Sequence, residues 1–305
     1  MSMLANVKKG RIIRPVLLTV YGPGGIGKST FGAGAPNPIF LGAEEGTDLL
    51  DVARLPTPRT YEDVKEALRE LLEVPHDYKT LVVDSLDWIE PLIFNFICRR
   101  YGKPSIEQCA GGYGKGYIEA ADEWVKLIGK FSHLRDKRGM NIILIAHPEV
   151  KNVTNPQTQA TYQRYELKLH KLSKNKIMEY VDAIFFASFE LYTEKVGEDI
   201  KTIATQNRVL HTVPSQYDAF DAKNRYGLIE TIPLNMPWNE FLSHCNINPT
   251  SVAEITGEIE SLTAEIVHGD IRDRIKAATL KASTDLPQLI KIRDHIKTLP
   301  KDLTQ

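Results

Sequence analysis

Five short apolar runs recur along the first two thirds of the chain: "RPVLLTVYG", "NPIFLGAEE", "KTLVVDSLD", "MNIILIAHPE" and "VDAIFFASFE". Each holds about five residues of Val, Ile, Leu or Phe without polar alternation and stops at turn residues, the pattern of strands buried on both faces. Helical periods lie between them. In "TYEDVKEALRELLEV", Val64, Leu68, Leu71 and Leu72 fall on one face. Thr60, with Asp63 three residues on, makes a capping-box start. In "IEAADEWVKLIGKFSHLRDKRG", Trp124, Leu127, Ile128, Phe131 and Leu134 form a stripe that closes at Gly139. Strands alternating with helices predict an α/β fold, a mostly parallel sheet flanked by helices.

From Ile203 to Pro233 the pattern changes to hairpin-like segments, "TIATQNRVLHTVP" and "NRYGLIETIPL", which predict antiparallel or edge strands closing the core. A break follows at "HCNINPTS". Beyond it Val252, Ile255, Ile259, Leu262 and Ile266 repeat at three- and four-residue spacing, with Ser251 and Glu254 as a capping box. The expected division is a core over residues 1–245 and a small helical C-terminal appendage over 251–305. The stripe of that appendage is expected to pack on the core or on neighbouring tail helices.

Composition narrows the class. The 305 residues carry a net charge of −1, so attraction to nucleic acid must come from local clustering. Cys98, Cys109 and Cys245 are scattered, which argues for reduced thiols in a cytoplasm and against a zinc site. The apolar run near the N-terminus ends in a glycine loop and reads as a strand, and nothing approaches the roughly 20 apolar residues of a membrane span. No membrane partner is expected.

The chemistry begins at "GPGGIGKST", residues Gly22, Pro23, Gly24, Gly25, Ile26, Gly27, Lys28, Ser29 and Thr30. This fits G-x4-G-K-S/T. Glycines let backbone N–H groups form a nest around phosphate oxygens, and the following helix adds its positive end. Lys28 would reach the β- and γ-phosphates of ATP, and Ser29 would ligate Mg²⁺. Hydrolysis also needs a second magnesium anchor and a group that orients water. Asp84, ending "TLVVD", supplies the anchor; Glu44 or Glu45, ending "FLGAEE", could activate water. The N-K-x-D motif that would read guanine is missing, because "NKIM" ends in Met178.

This order of parts resembles the RecA-like ATPase superfamily of P-loop NTPases. The resemblance assigns the catalytic role to Glu44 and the anchor to Asp84 and Ser85. It places His147 where RecA carries a glutamine that senses the γ-phosphate, a departure in residue type. More closely, "GPGGIGKST", "GYGKGY", "ILIAHPEVK", "KLHKLSKNKIMEYVDAIFFA" and "DAKNRYGL" resemble phage-encoded RecA-like nucleotide-binding proteins, some of which are single-strand annealing recombinases. That likeness spans roughly residues 15 to 235. "AKNRYGL" is similar to the Lys-x-Arg element of RecA-like ring helicases, which implies that Lys223 and Arg225 act in trans at a neighbour's ATP site, as an arginine finger does.

Two intervals sit where RecA-like proteins place DNA-binding loops. One carries Tyr113, Lys115 and Tyr117; the other carries Lys151, Tyr162, Arg164 and Tyr165. Aromatic rings would stack bases and cations would meet phosphates. From His147 to Lys176 six Lys or Arg face two Glu in sequence, a local basic excess. The function expected is an ATP-hydrolysing protein of phage recombination that binds single-stranded DNA as a homo-oligomer, with a single-strand DNA-binding protein or another phage recombination protein as a further partner. A RecA-like ring helicase or helicase-loading motor, and a non-motor ATP-dependent scaffold or switch, are the alternatives.

Overall fold

The computed structural model describes residues 7, 14–42, 49–154, 159–196, 199–215, 219–245, 252–266, 268–282, 289, 292, 293, 295, 296 and 299. The chain divides into two units, Met1–Ile247 and Asn248–Gln305.

The five apolar runs all form strands: β1 (Leu17–Tyr21), β2 (Pro38–Gly42), β4 (Thr80–Asp84), β5 (Asn141–Ala146) and β8 (Ala183–Val196). A two-residue strand β3 (Ala53–Arg54) pairs beside β2. The sheet order is β3-β2-β4-β5-β1-β8, parallel throughout, and β1 is held between β5 and β8. Leu17 pairs with Ile142, and Leu18 with both Ile143 and Ala183. Beyond β8 the sheet turns antiparallel through β9 (Asp199–His211) and β11 (Thr231–Pro233), while β10 (Lys223–Asn224) pairs with β8. These are the hairpin-like segments of the sequence.

Alternation along β1 explains why its run is apolar without interruption. Leu17 and Tyr21 point into a cluster with α2 (Tyr61–Glu73), α3 (Leu86–Tyr101) and α4 (Lys115–Arg138). Leu18 and Val20 point the other way, to Phe31 of α1 (Lys28–Ala33) and to Trp238 and Phe241 of α6 (Trp238–His244). Both faces are therefore dry, as a parallel sheet requires. The Thr60 capping box is present, with Thr60 Oγ1 accepting from the Asp63 N–H and the Asp63 carboxylate accepting from the Thr60 N–H. That pair holds the start of α2 against fraying.

Gly42, at the end of β2, lies opposite Asp84 in the register, and a Cβ built there would fall 2.1 Å from the Asp84 carbonyl oxygen. Strand separation and the position of Asp84 thus depend on this residue having no side chain. Gly42→Ala is expected to lower stability by about 1–3 kcal/mol through overpacking and to lower any turnover that needs Asp84. Gly129→Ala, mid-helix with nothing within 4 Å of the added carbon, should instead raise stability by about 0.5–1 kcal/mol. Thermal melts of the two variants check the contrast.

Further elements escape the sequence patterns. The interval after His147 is a hairpin, β6 (Pro148–Thr154) against β7 (Thr161–Leu167), forming its own two-stranded sheet. Helix α5 (Lys171–Tyr180) follows it. In the second unit, α7 (Val252–Ala264) and α8 (Gly269–Ala282) bury Ile259, Ile266, Ile275 and Ala282 in one cluster with Leu289 and Ile296. Of the stripe read in the sequence, Ile259, Leu262 and Ile266 pack on neighbouring tail segments. Ser251, half of the expected capping box there, lies outside the described residues.

Candidate nucleotide site

The phosphate loop joins the buried end of β1 to α1. Gly27 is the N-cap of α1 with φ +108°, a left-handed conformation that glycine adopts without strain. Within the loop, the Lys28 ammonium donates to the carbonyls of Gly22 at 2.8 Å and Pro23 at 3.0 Å, and the side chain is buried. A cation folded back on its own loop is where a phosphate chain needs one. Ser29 Oγ donates to Asp84 Oδ2 at 2.6 Å. The sequence placed these two 55 residues apart as magnesium ligands, and the fold brings them into contact.

Asp84 is 1% exposed. Burial pushes its carboxyl above the ordinary range; the Ser29 hydroxyl and the Lys28 charge pull the other way without cancelling it. A hydroxyl and a carboxylate in contact are hard oxygen donors, the set that Mg²⁺ takes alongside phosphate oxygens and water. The residues present therefore fit the ion, and Ser29 and Asp84 would hold it. Among the described residues no cluster of three or more His, Cys, Asp or Glu offers an alternative metal site.

Because β5 lies between β1 and β4, the residue that follows it, His147, arrives beside Asp84. Asp87, in the first turn of α3, fixes it: its Oδ1 accepts the His147 backbone N–H at 2.9 Å, and its Oδ2 lies 3.0 Å from the ring Nδ1. Burial alone would raise the Asp87 carboxyl, but these bonds bring it net below its ordinary range. Sequence reading missed Asp87 as an orienting group; its signal is the Asp-x-x-Asp spacing from Asp84 across the start of α3. Glu44 and Glu45 lie outside the described residues.

The two residues expected to act in trans differ. The Lys223 ammonium donates to the carbonyls of Met178, Glu179 and Val181 at 2.6–3.1 Å, closing the C-terminal end of α5 within its own chain. Burial, then the neighbouring Arg225, lowers its pKa. Arg225 is exposed, 3.7 Å from Asp182.

The residues read as DNA-contacting also separate. Tyr113 is fully exposed at φ +53°, next to Lys115 at the first position of α4. Tyr117 stacks on His170 at 3.9 Å between centroids and donates to Glu107. On the hairpin, Lys151 pairs with Glu149 at 2.6 Å, Arg164 is paired with Asp221, and Tyr165 stacks on Phe186. Tyr162 sits opposite Val153 in the β6–β7 register.

With this geometry established, comparison with known proteins adds two findings. A family model described as "AAA domain" matches residues 14–226, from just before β1 to just after β10. The chain is also 26% identical over 153 residues to the SPbeta prophage-derived uncharacterized protein YorG of Bacillus subtilis (strain 168), covering 48% of this chain and 43% of that protein. The chain thus spans less than half the length of that relative. No helix among the described residues is long and apolar enough to cross a membrane.

Proposed function

This chain belongs to the AAA domain family of phosphate-loop ATPases, and we propose that within it the protein is a RecA-like ATPase that binds single-stranded DNA in phage recombination or annealing. ATP sites would be shared between subunits, with the partner subunit's Arg225 facing the phosphates held by Lys28. Because Lys223 is engaged by the end of α5, the trans role falls to Arg225 alone. The prophage origin of the relative supports the phage setting.

The observation that carries the reading is a direct covalent continuity. His147 sits beside Asp84, and the next residue, Pro148, opens hairpin β6–β7. A group that meets the nucleotide is thus one residue from a hairpin with Lys151, Tyr162, Arg164 and Tyr165 on it. Tyr113, exposed on a separate glycine-rich segment, offers a ring for base stacking. When bound, Mg²⁺ neutralises charge on the transferring phosphoryl group. Lys28 binds the phosphate chain, Asp84 anchors the ion, Asp87 orients His147, and Glu44 is the residue that would orient water.

The test is the ATPase rate with and without saturating single-stranded DNA, together with the mass of the complex. DNA is expected to raise turnover at least several-fold, and the mass to show an oligomer. Tyr113→Ala should weaken DNA binding about ten-fold, the loss of one stacked base, with DNA-free turnover unchanged. Arg225→Ala should cut turnover by about a thousand-fold while nucleotide still binds. Turnover and mass that are both indifferent to single-stranded DNA would sink the proposal.

A further inference from the structure

The fold brings two of the three cysteines together. Cys98 lies near the end of α3, and Cys109 lies in a short 3₁₀ segment, Ile106–Gly111, that leads to α4. The Cys109 thiol points at Cys98, with 3.9 Å between the sulfurs, and also lies 3.4 Å from the Ser105 carbonyl oxygen. Both are free thiols. Cys109 is fully buried and Cys98 half-buried. Cys245 is buried with Phe31 and Phe241 on the opposite face of the sheet, away from this pair.

A disulfide needs its sulfurs about 2 Å apart, so the pair must close by about as much again. The backbone around Cys109 gives room for that. Helical geometry breaks at Cys109, whose ψ is 158°, and the next residue, Ala110, has φ +52°. Tyr113, four residues on from Cys109, has φ +53°. Non-glycine residues in this region are held there by their surroundings. The contact with α4 is close: a Cβ built on Gly116 would fall 2.0 Å from the Ile106 carbonyl oxygen and 3.1 Å from Cys109 Cβ. A shift at Cys109 is therefore felt at the start of α4 and at Tyr113 just before it.

The two thiols differ in reactivity. Burial, then the Cys98 thiol, pushes the Cys109 thiol up, against the pull of the Lys103 charge. Cys109 stays protonated and out of solvent, so Cys98 is the thiol that an oxidant meets first.

We propose that Cys98 and Cys109 form a peroxide-reactive dithiol site whose closure ties the segment carrying Tyr113 to α3. The Cys98 thiol loses its proton to solvent, and the thiolate attacks one peroxide oxygen. The O–O bond breaks, leaving a sulfenic acid on Cys98 and a hydroxide that takes up the solvent proton as water. Cys109 Sγ then attacks the Cys98 sulfur. The S–O bond breaks, and the departing hydroxide leaves with the Cys109 proton as water. Two thiols and one hydrogen peroxide thus become one disulfide and two waters. The bridge joins residues 11 apart in sequence. Its chemistry does not depend on nucleotide or DNA.

The experiment treats the full chain with a small excess of hydrogen peroxide and counts its thiols. The three should fall to one, with a peptide joining Cys98 to Cys109 and Cys245 left reduced. Dithiothreitol should restore all three. Amide exchange over residues 106–114 should slow at least about three-fold once the bridge forms, because local opening then costs more. Cys98→Ser, a change at a half-buried position, should keep both remaining thiols under the same peroxide and show no change in exchange. Cys109→Ser should leave Cys98 as a sulfenic acid that dimedone traps. The site is disproved if the unaltered chain keeps three thiols, if Cys98 passes to sulfinic acid without bridging, or if the bridge includes Cys245 or a second chain. A bridge that leaves exchange over 106–114 unchanged disproves the tie to the Tyr113 segment.

Discussion

Lys28→Ala is expected to abolish nucleotide binding and turnover together. Its ammonium is buried among loop carbonyls, 2.8 Å from that of Gly22, and is the cation placed inside the phosphate nest. A hydrogen bond to a charged group contributes roughly 1.5–3 kcal/mol, and Lys28 would reach two phosphates. Affinity for ATP should fall at least about 100-fold, since each factor of ten is about 1.4 kcal/mol. The loss should be the same for tripolyphosphate, because Lys28 meets the part both ligands share. Titration calorimetry with either ligand reads it, and an unchanged far-UV spectrum shows that the fold survives. An Ala variant that binds ATP as tightly as the unaltered chain would remove the loop from the site altogether.

Asp84→Asn should separate stability from turnover. The Asp84 carboxyl is buried and its folded pKa is raised above its unfolded value. A group raised in this way contributes stability below the unfolded carboxyl range, near pH 4, and loses it as pH rises through the folded value. At pH 7 the ionised carboxylate weighs against the nucleotide-free fold. An amide has no charge to bury and can still accept the Ser29 hydroxyl. The Asn variant should therefore melt above the unaltered chain at pH 7 without nucleotide, and the gap should narrow as pH falls towards 4. With Mg²⁺ and ATP the order should reverse, because ligand binding stabilises whichever chain holds it better. Turnover in the variant should drop at least about 100-fold, the scale of removing one preorganised electrostatic group. A variant that melts lower at pH 7, or that hydrolyses ATP normally, would contradict this account.

The legible parts of the molecule are those whose cause is local. Runs such as "VLLTVY" read as strands because both faces are buried, and Thr60 with Asp63 reads as a helix start because four residues complete the bonding. Lys28, Ser29 and Asp84 were legible as a set because the spacing of the loop and a strand-end carboxylate carry the chemistry. Hairpin β6–β7 was not, because its faces are half-exposed and its residues lack a clean apolar period. Helix α3 was not, because Pro91 interrupts its pattern although the helix runs through it. Asp87 follows Asp84 at Asp-x-x-Asp spacing, but its bond to His147 depends on strand order, which no local pattern encodes. Lys223 matched a motif by spacing, yet its ammonium serves the end of α5.

The position of β1 between β5 and β8 has a consequence for how this chain is made. Leu17 needs Ile142, and Leu18 needs Ala183, so the strand that carries the phosphate loop has neither neighbour when it leaves the ribosome. The Tyr21 hydroxyl waits longer still, for the Asp221 carbonyl 200 residues on. Contacts so distant in sequence form late and slowly. Until β5 has been made, "LLTVY" is an unpaired apolar strand, the kind of segment that chaperones cover. The earliest chemistry in the sequence is thus among the last to be built.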